Sequence, residues 1–286
     1  MPNLAQHQSN TYVKLLLMGN AKTGKTGSLV SLVRAGYKLR ILDLDNLLDI
    51  LVRYIRKECP EAISNVEFVS VRDKIKTGPA GPCISGTPKA WATATKLCDH
   101  WRYDDVDFGV PAEWGPECIL VIDSLSRLCD AAYDYHEAII PRGRSGDFDG
   151  RAVYGNAQDA VEKFLAMLSS KYFETNVIVI AHLTPPQDQG DGKMKCFPQG
   201  VGQKLSPIIP QYFPNVVLYQ QESGHRVMKT NSTPFIDLCS SDPFNVSPSY
   251  PIETGLADLF TVLLSDKPVS EPTPVTPIFN LTRKLS

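Results

Sequence analysis

The chain contains 286 residues, of which 43% are hydrophobic, and its formal net charge is −2. This length and apolar content are sufficient for one large domain with a full buried core. The near-neutral charge excludes a chain that is basic overall, so any contact with nucleic acid must depend on local basic patches.

The cysteines and the first residues bear on the cellular compartment. The seven cysteines form no C-x-x-C pair and no metal-ligand spacing, which favours reduced thiols. The opening Met-Pro-Asn-Leu-Ala-Gln-His-Gln lacks the basic and apolar regions of a signal peptide. No apolar run approaches the length needed to cross a membrane. We therefore predict a cytoplasmic protein that makes no membrane contact.

The first predicted elements are a strand, a glycine-rich turn and a helix. Residues 19–26 read Gly-Asn-Ala-Lys-Thr-Gly-Lys-Thr, a complete G-x-x-x-x-G-K-[ST] phosphate-binding loop, between apolar runs at 12–18 and 28–33. Its glycines permit backbone torsions in which the amides point inward and bind an anion. We expect Lys25 to reach the β- and γ-phosphates of a nucleotide and Thr26 to ligate Mg²⁺. The predicted nucleotide contacts are Gly19, Asn20, Ala21, Lys22, Thr23, Gly24, Lys25, Thr26 and Gly27.

The segment that follows mixes strands, a helix and two irregular stretches. Residues 37–45 and 65–71 have the apolar content of two further strands. Residues 76–88 contain several Gly and Pro residues and predict a loop, whereas residues 88–101 predict an amphipathic helix. Residues 103–117 predict a second irregular stretch.

The middle of the chain adds two strands that are apolar on both faces. Residues 118–124 and 176–182 fit this description, which is typical of the centre of a parallel sheet. Helices are predicted from Leu125 to about Ala138 and over residues 158–172.

The remaining segments are predicted to be loops and closing strands. Residues 141–150 predict a flexible, partly basic stretch, and residues 184–206 a long loop. Closing strands are predicted at 216–219, at 225–229 and from Phe235 onward. The elements together predict an α/β fold of the P-loop NTPase type, with a mostly parallel central sheet flanked by helices and C-terminal antiparallel strands. Ligands bind such sheets at the carboxyl ends of the strands.

Polar residues stand at the carboxyl ends of three predicted strands. Asp123 is expected to complete the Mg²⁺ site with Thr26, although an Asp-Ser pair also caps helices well. Asp43 and Asp45 end an earlier strand, and either could deprotonate the water that attacks the γ-phosphate. We prefer Asp45, which is nearer the strand end; helix capping is the alternative. His182 is expected to touch the γ-phosphate and report its loss; a structural histidine satisfied by its neighbours is the alternative.

The order of these motifs resembles that of the RecA family of recombination ATPases. The match runs from about 11 to 230 and includes GNAKTGKT, ILDLDNLLD, ILVIDSLSRL, VIVIAH and a glycine-rich segment closing with QGVGQKL. The compact size resembles the short RecA-like ATPases of bacteriophages, the Sak-type single-strand annealing proteins. The resemblance implies ATP hydrolysis with Mg²⁺, binding of single-stranded DNA, a homo-oligomeric ring or filament, and a role in recombination, annealing or replication in a bacterial host cytoplasm.

The resemblance also implies roles for individual residues. Lys25, Asp45, Asp123 and His182 take catalytic positions, with Asp45 where RecA has Glu and His182 where RecA has Gln. The shorter aspartate predicts slow hydrolysis or help from a neighbour, and the histidine adds pH sensitivity. Lys229 lies where related ATPases send a basic residue into the neighbouring subunit's ATP site. The alternative for Lys229 is a surface lysine on a late strand.

Two basic loops match the position of the family's DNA-binding loops, at about 141–154 and about 184–204. Basic side chains would neutralise DNA phosphates, and an aromatic ring could stack on a base. The expected DNA contacts are Arg142, Arg144, Arg151, Lys193, Lys195 and Phe197. The alternative is two ordinary solvated loops, because aspartates in the same segments dilute the positive charge.

Two other functions also fit the motifs. One is a nucleoside or nucleotide kinase, with the arginines near 142–151 as a lid. The other is a nucleotide-gated interaction module with little hydrolysis.

The domain limits follow from composition. Residues 1–10 predict a flexible N-terminus, 11–265 one ATPase domain, and 266–286 a disordered tail rich in Pro and Thr. That tail could carry a docking peptide for a partner such as a single-strand binding protein; a plain disordered end is the alternative.

Overall fold

The structure is a computed structural model, and it describes residues 11–141, 149–188 and 192–265. The strands, numbered in chain order, are β1 (Lys14–Gly19), β2 (Lys38–Asp43), β3 (Val66–Ser70), β4 (Ile75–Gly78), β5 (Gly81–Ile84), β6 (Arg102–Tyr103), β7 (Val106–Asp107), β8 (Gly115–Asp123), β9 (Thr175–Ala181), β10 (Gln187–Asp188), β11 (Met194–Lys195), β12 (Asn215–Glu222), β13 (His225–Lys229) and β14 (Ser249–Pro251). The α-helices are α1 (Lys25–Ser28), α2 (Val30–Arg34), α3 (Asp49–Glu58), α4 (Ala90–Asp99), α5 (Leu125–Ile139), α6 (Gly150–Ser169), α7 (Gly202–Leu205) and α8 (Gly255–Leu263).

One large sheet organises the described part of the chain. Its eight strands follow the order β14-β13-β12-β1-β9-β8-β2-β3. The six strands from β12 to β3 are parallel, and β13 and β14 are antiparallel additions at one edge. The predicted fold class, a mostly parallel sheet with C-terminal antiparallel strands, is therefore confirmed.

The sheet is buried between two helical layers because its central strands are apolar on both faces. In β1, Leu16 and Met18 pack with α4, α5 and α6, whereas Leu15 and Leu17 pack with α2, α3 and α8. Every residue of β9 is buried, as expected for a strand with neighbours on both sides. The carboxyl ends of the parallel strands β1, β2, β8 and β9 meet at one edge, where ligands bind in open α/β sheets.

Two segments predicted to be loops contain regular structure. Residues 76–88 form most of the antiparallel β4–β5 hairpin, whose two-residue turn falls between Gly78 and Gly81, with Gly81 at φ +116°. Residues 103–117 include the β6–β7 hairpin, a 3-10 turn at Pro111–Glu113 and the start of β8. The loop prediction was wrong because Gly and Pro serve tight hairpin turns as well as long loops.

Helix α6 begins eight residues earlier than the predicted start at Gln158. The Asp149 side chain accepts a hydrogen bond from the Ala152 amide at 3.0 Å and caps the first turn. Val153, Ala157 and Val161 then continue the buried face at helical spacing. Arg151, predicted to lie in a loop, is therefore on the first turn of a helix.

The chain after Lys229 also differs from the prediction. No strand begins at Phe235 in the described residues; Cys239 forms only an isolated bridge with Val216. Helix α8 was not predicted, although Leu256, Leu259 and Phe260 are buried at helical spacing.

The described helices are all too short or too polar to cross a membrane. The predicted flexible N-terminus at 1–10 and the predicted tail at 266–286 lie outside the described residues.

Candidate functional site

The phosphate-binding loop connects β1 to α1 at the ligand-binding edge of the sheet. A Cβ atom added to Gly19 would lie 2.5 Å from the carbonyl oxygen of Tyr219 on the neighbouring strand. Gly24 has φ +96°, and a Cβ atom there would lie 2.5 Å from Cδ1 of Ile252. Both positions therefore exclude a side chain, which keeps the turn tight enough for its amides to surround an anion.

Lys25 is buried inside this loop. Its Nζ donates hydrogen bonds to the carbonyl oxygens of Gly19 at 2.8 Å and Asn20 at 2.7 Å. Burial lowers the pKa of Lys25 to about 8, while the carboxylates of Asp123 and Asp45 act to raise it. An ammonium group has three donors, so the two carbonyls leave one N–H for a phosphate oxygen.

Thr26 and Asp123 come together although they are 97 residues apart in sequence. The Thr26 hydroxyl donates to Oδ2 of Asp123 at 2.6 Å. Asp123 ends β8 and is 3% exposed, and burial raises its pKa to about 6; the hydrogen bond from Thr26 opposes this and the nearby Asp45 and Asp43 add to it. A buried carboxylate with a raised pKa beside a hydroxyl oxygen fits a cation site, because a divalent ion would stabilise the ionised form.

The donor set suits Mg²⁺ bound partly through a substrate. Across the described ranges, no group of three or more His, Cys, Asp or Glu side chains could hold a metal ion by itself. Mg²⁺ characteristically takes one or two protein oxygens and completes its shell with water and substrate phosphates. Thr26 and Asp123 supply such a pair next to the phosphate-binding loop.

Asp45 lies just beyond β2 and is surrounded by polar groups. Its Oδ2 lies 3.3 Å from Nε2 of His182, and its Oδ1 accepts a hydrogen bond from the Ser124 hydroxyl at 3.2 Å. Nε of Arg127 lies 3.6 Å from the same Oδ1. Burial acts to raise the pKa of Asp45, but His182, Ser124 and Arg127 outweigh it and hold the pKa below its ordinary value.

Backbone contacts fix the position of this carboxylate relative to the other strand ends. The amide of Asp45 donates to the carbonyl oxygen of Asp123 at 3.3 Å. The amide of His182, the residue after β9, donates to the hydroxyl of Ser126 at 3.0 Å. The ends of β2, β8 and β9 are therefore tied together, and their polar side chains share one site with Lys25.

Asp43, the other candidate base, serves the turn after β2. Its Oδ1 accepts from the Asn46 amide at 2.7 Å, and its Oδ2 lies 3.4 Å from the Ser70 hydroxyl. Burial raises its pKa, although these hydrogen bonds lower it. Because β2 ends at Asp43, the two aspartates do not continue one strand face, and Asp45 is the one that reaches His182.

Lys229 is engaged within its own hairpin. Its Nζ lies 2.7 Å from Oε2 of Glu222, across the β12–β13 turn. The ion pair holds the lysine on the surface of this chain.

The residues predicted to contact DNA are dispersed. Arg142 and Arg144 lie outside the described residues. Arg151 lines an open groove of about 710 Å³ together with Tyr154, Gln158 and Lys204. Tyr154 is 46% exposed and its ring packs on Tyr133 with centroids 4.7 Å apart.

The second predicted DNA loop is more tightly bound to the rest of the protein. Nζ of Lys195 lies 2.6 Å from Oδ1 of Asp237. Phe197 exchanges two hydrogen bonds with Thr184 and is half-buried, whereas Lys193 is exposed. None of the three lines the groove at Arg151.

Sequence reasoning missed the residues that surround Asp45. Ser124 directly follows Asp123, and Arg127 lies one helical turn later in α5, so both are carried to the site by the strand–helix junction. The segment Ser-Leu-Ser-Arg contains the signal, because Ser124 is the N-cap of α5 and residues three apart lie on the same side of a helical turn. Arg226 and Ile252, which lie against Gly24, gave no sequence signal because they belong to distant strands and turns.

Comparison with known proteins identifies the family. The sequence model of the AAA domain family AAA_24 matches residues 11–237. This match covers well over half of the chain, and the chain belongs to that family. The phosphate-binding loop is accordingly that of a P-loop nucleotide-binding domain. No curated protein matches the chain.

A solved structure shares a distant likeness. The chain is similar to an ATP synthase subunit, NeqB, from Nanoarcheaum equitans, with 12% sequence identity and a TM-score of 0.37. The similarity covers 74% of this chain and 48% of that chain, so this chain spans about half the length of the structure it matches. A likeness this weak has no bearing on function.

Proposed function

We propose that this member of the AAA domain family hydrolyses ATP with Mg²⁺ and couples that cycle to single-stranded DNA. The observation that carries the proposal is the convergence of the Thr26–Asp123 contact at 2.6 Å and the Asp45–His182 contact at 3.3 Å beside Lys25. A loop that only held a nucleotide would need no base for water, so a second carboxylate, Asp45, close to Lys25 is the feature that favours hydrolysis.

Each residue of the site has its own role in the proposed reaction. The loop amides and Lys25 bind the phosphates, and Thr26 and Asp123 hold Mg²⁺, which neutralises charge on the phosphates when it is bound. Asp45 accepts a proton from the attacking water. His182, hydrogen-bonded to Asp45, links the state of the γ-phosphate to the segment that follows β9.

A direct assay tests hydrolysis. Wild-type protein should release phosphate from ATP in Mg²⁺, and Lys25→Ala should abolish both release and ATP binding because the buried ammonium is lost. Lys38→Ala is the matched control, since this exposed lysine lies at the opposite end of the sheet and pairs with Glu117 at 3.5 Å. ATP-dependent phosphorylation of a nucleoside or nucleoside monophosphate, without release of free phosphate, would instead indicate a kinase.

A second candidate function is a nucleotide-gated module with little hydrolysis. The supporting observation is that His182, Ser124 and Arg127 all stabilise the charged Asp45, which lowers the pKa of the proposed base and weakens it as a proton acceptor. Tight binding of ATP with a turnover rate that Asp45→Asn does not change would favour this module over the ATPase.

The proposed binding site for single-stranded DNA is the groove next to α6. Arg151 and Lys204 provide two exposed cations, and Tyr154 provides an exposed ring for stacking. The same groove also contains one acidic residue, Asp149, whose carboxylate caps α6. Arg142, Arg144, Lys193, Lys195 and Phe197 are proposed as DNA contacts on the RecA-like resemblance alone. The RecA-like resemblance supports this assignment and the narrower one to the Sak-type proteins of bacteriophages.

Affinity for a fluorescent oligo(dT) tests the groove. The double variant Arg151→Gln/Lys204→Gln should weaken binding and reduce the slope of log affinity against log salt by about one to two, because two phosphate contacts are lost. Lys163→Gln, an exposed lysine further along α6, should leave both quantities unchanged. Equal affinity of the double variant and wild type would exclude this groove as the DNA site.

Assembly is proposed on the resemblance alone. A homo-oligomeric ring or filament would allow Lys229 to leave Glu222 and reach a neighbour's nucleotide, as a basic residue supplied in trans does in related ATPases. Mass measurement with and without ATP tests this: a single monomeric mass in both conditions would exclude the trans role of Lys229. A docking peptide within residues 266–286 for a single-strand binding protein is a further proposal.

A further inference from the structure

Arg226 lies beside the phosphate-binding loop, although β13 is more than 190 residues away from that loop in sequence. A methyl group added to Gly24 would lie 3.5 Å from Cδ and 3.6 Å from Nη1 of Arg226. The guanidinium is thus adjacent to the residue that immediately precedes Lys25. Arg226 is exposed, so its end is free to contact a ligand.

The guanidinium of Arg226 has no anionic partner in the described part of the chain. Glu222, the acidic residue of the same hairpin, pairs with Lys229 at 2.7 Å. Within 11–141, 149–188 and 192–265, no carboxylate oxygen lies within 4.0 Å of an Arg226 nitrogen. An unpaired cation next to an anion-binding turn is suited to a phosphate.

The order of the sheet indicates which part of a nucleotide Arg226 would meet. Asp45, Asp123 and His182 follow β2, β8 and β9, which all lie on one side of β1. Strands β12 and β13 lie on the other side of β1. With the terminal phosphate facing the two carboxylates and the imidazole, the rest of the nucleotide extends toward β13.

We infer that Arg226 binds the α- and β-phosphates of the nucleotide held by its own subunit. This inference rests on the proposed function and adds a nucleotide-binding residue, supplied in cis, to the loop. The contact is electrostatic and does not involve the phosphate that is cleaved, so it is shared by ATP and ADP.

Calorimetric titration of the full chain with ATP and with ADP, in Mg²⁺, tests the inference. Arg226→Gln should weaken both nucleotides about tenfold and to the same extent, because a charge-assisted contact is lost. Arg226→Lys should lose less affinity than Arg226→Gln, since it keeps a point charge but not the planar guanidinium. Arg102→Gln, an exposed arginine in the β6–β7 hairpin, which is separate from the central sheet, should bind as wild type does.

The outcomes separate the inference from the proposed function. Unchanged affinity of Arg226→Gln, or a loss limited to ATP, contradicts a contact with the α- and β-phosphates. Equal losses for the Lys and Gln variants contradict a role that depends on charge. If wild-type protein binds neither nucleotide, the proposed function itself is wrong and the inference fails with it. Unfolding midpoints of all variants should agree, which shows that the loss does not arise from the fold.

Discussion

The carboxylate of Asp45 and the imidazole of His182 face each other, with Oδ2 and Nε2 3.3 Å apart, although 137 residues separate them in sequence. They meet because β2 and β9 flank β8 in one parallel sheet, so the residues that follow all three strands come to the same edge. This relationship joins the proposed base to the proposed γ-phosphate sensor, and a change at one residue is therefore expected to alter the other.

Arg127 should tune the pH dependence of hydrolysis. Burial acts to raise the pKa of Asp45, but His182, Ser124 and the charge of Arg127 outweigh it and lower the pKa. Arg127→Gln removes one of the groups that stabilise the carboxylate, so the acidic limb of the kcat–pH profile should move to higher pH. The profile of phosphate release against pH, measured at saturating ATP, checks this.

Two variants serve as controls for Arg127. Arg127→Lys keeps the charge and should leave the acidic limb close to that of wild type. Asp130→Asn removes the other acidic partner of Arg127, which lies 3.2 Å from Nη1, and should not move the limb upward. A limb that stays in place in Arg127→Gln would show that this charge does not act on the base.

Thr26 should control the requirement for Mg²⁺. Thr26→Val removes the hydroxyl that lies beside Asp123, so the free Mg²⁺ needed for half-maximal hydrolysis should rise about tenfold or more. Thr261→Val is the matched control, because the Thr261 hydroxyl donates to the Ala257 carbonyl on the exposed side of α8. An unchanged Mg²⁺ requirement in Thr26→Val would remove Thr26 from the metal site.

Asp123 should destabilise the nucleotide-free protein at neutral pH. Its pKa rises from an ordinary value of 3.8 to about 6 because the group is buried. Between pH 3.8 and about 6, the folded state keeps a proton that the unfolded state releases. The free energy of unfolding therefore falls as the pH increases through this range. Asp123→Asn avoids the buried charge. Its free energy of unfolding near pH 7 should therefore be about 1–3 kcal/mol higher than that of wild type.

The gain from Asp123→Asn should disappear with acid. Near pH 4 the wild-type carboxyl group is neutral when folded, so the two proteins should have nearly equal unfolding free energies in urea. Asp130→Asn, at an exposed position, should show no such pH dependence. A gain that is equally large at both pH values would mean that the charge of Asp123 is not its cause.

The sequence was sufficient to predict the elements that carry local signals. The strand–loop–helix at 12–33 and the buried strands ending near Asp123 and His182 have short, strong patterns, and the structure contains them with shifted ends. The start of α6 was missed because Gly150 and Gly155 resemble loop residues, whereas the Asp149 cap and the buried face at Val153 and Ala157 decide the outcome.

The parts of the site that could not be predicted depend on contacts between distant strands. The choice between Asp43 and Asp45 turns on where β2 ends and on which side chain the Asn46 amide engages. The approach of Arg226 to Gly24 depends on the order of β1, β12 and β13 in the sheet, which no local pattern encodes.

The central claim is that Asp45 is the base of an ATP-hydrolysing site, and Asp45→Asn tests it most directly. We predict that steady-state phosphate release falls by a factor of about 10²–10⁴ while Mg²⁺-ATP binding, measured by calorimetry, stays within about threefold of wild type. Asp43→Asn, at the neighbouring carboxylate that serves the turn, should keep most of the turnover. Turnover retained in Asp45→Asn, or lost equally in both variants, would contradict the account.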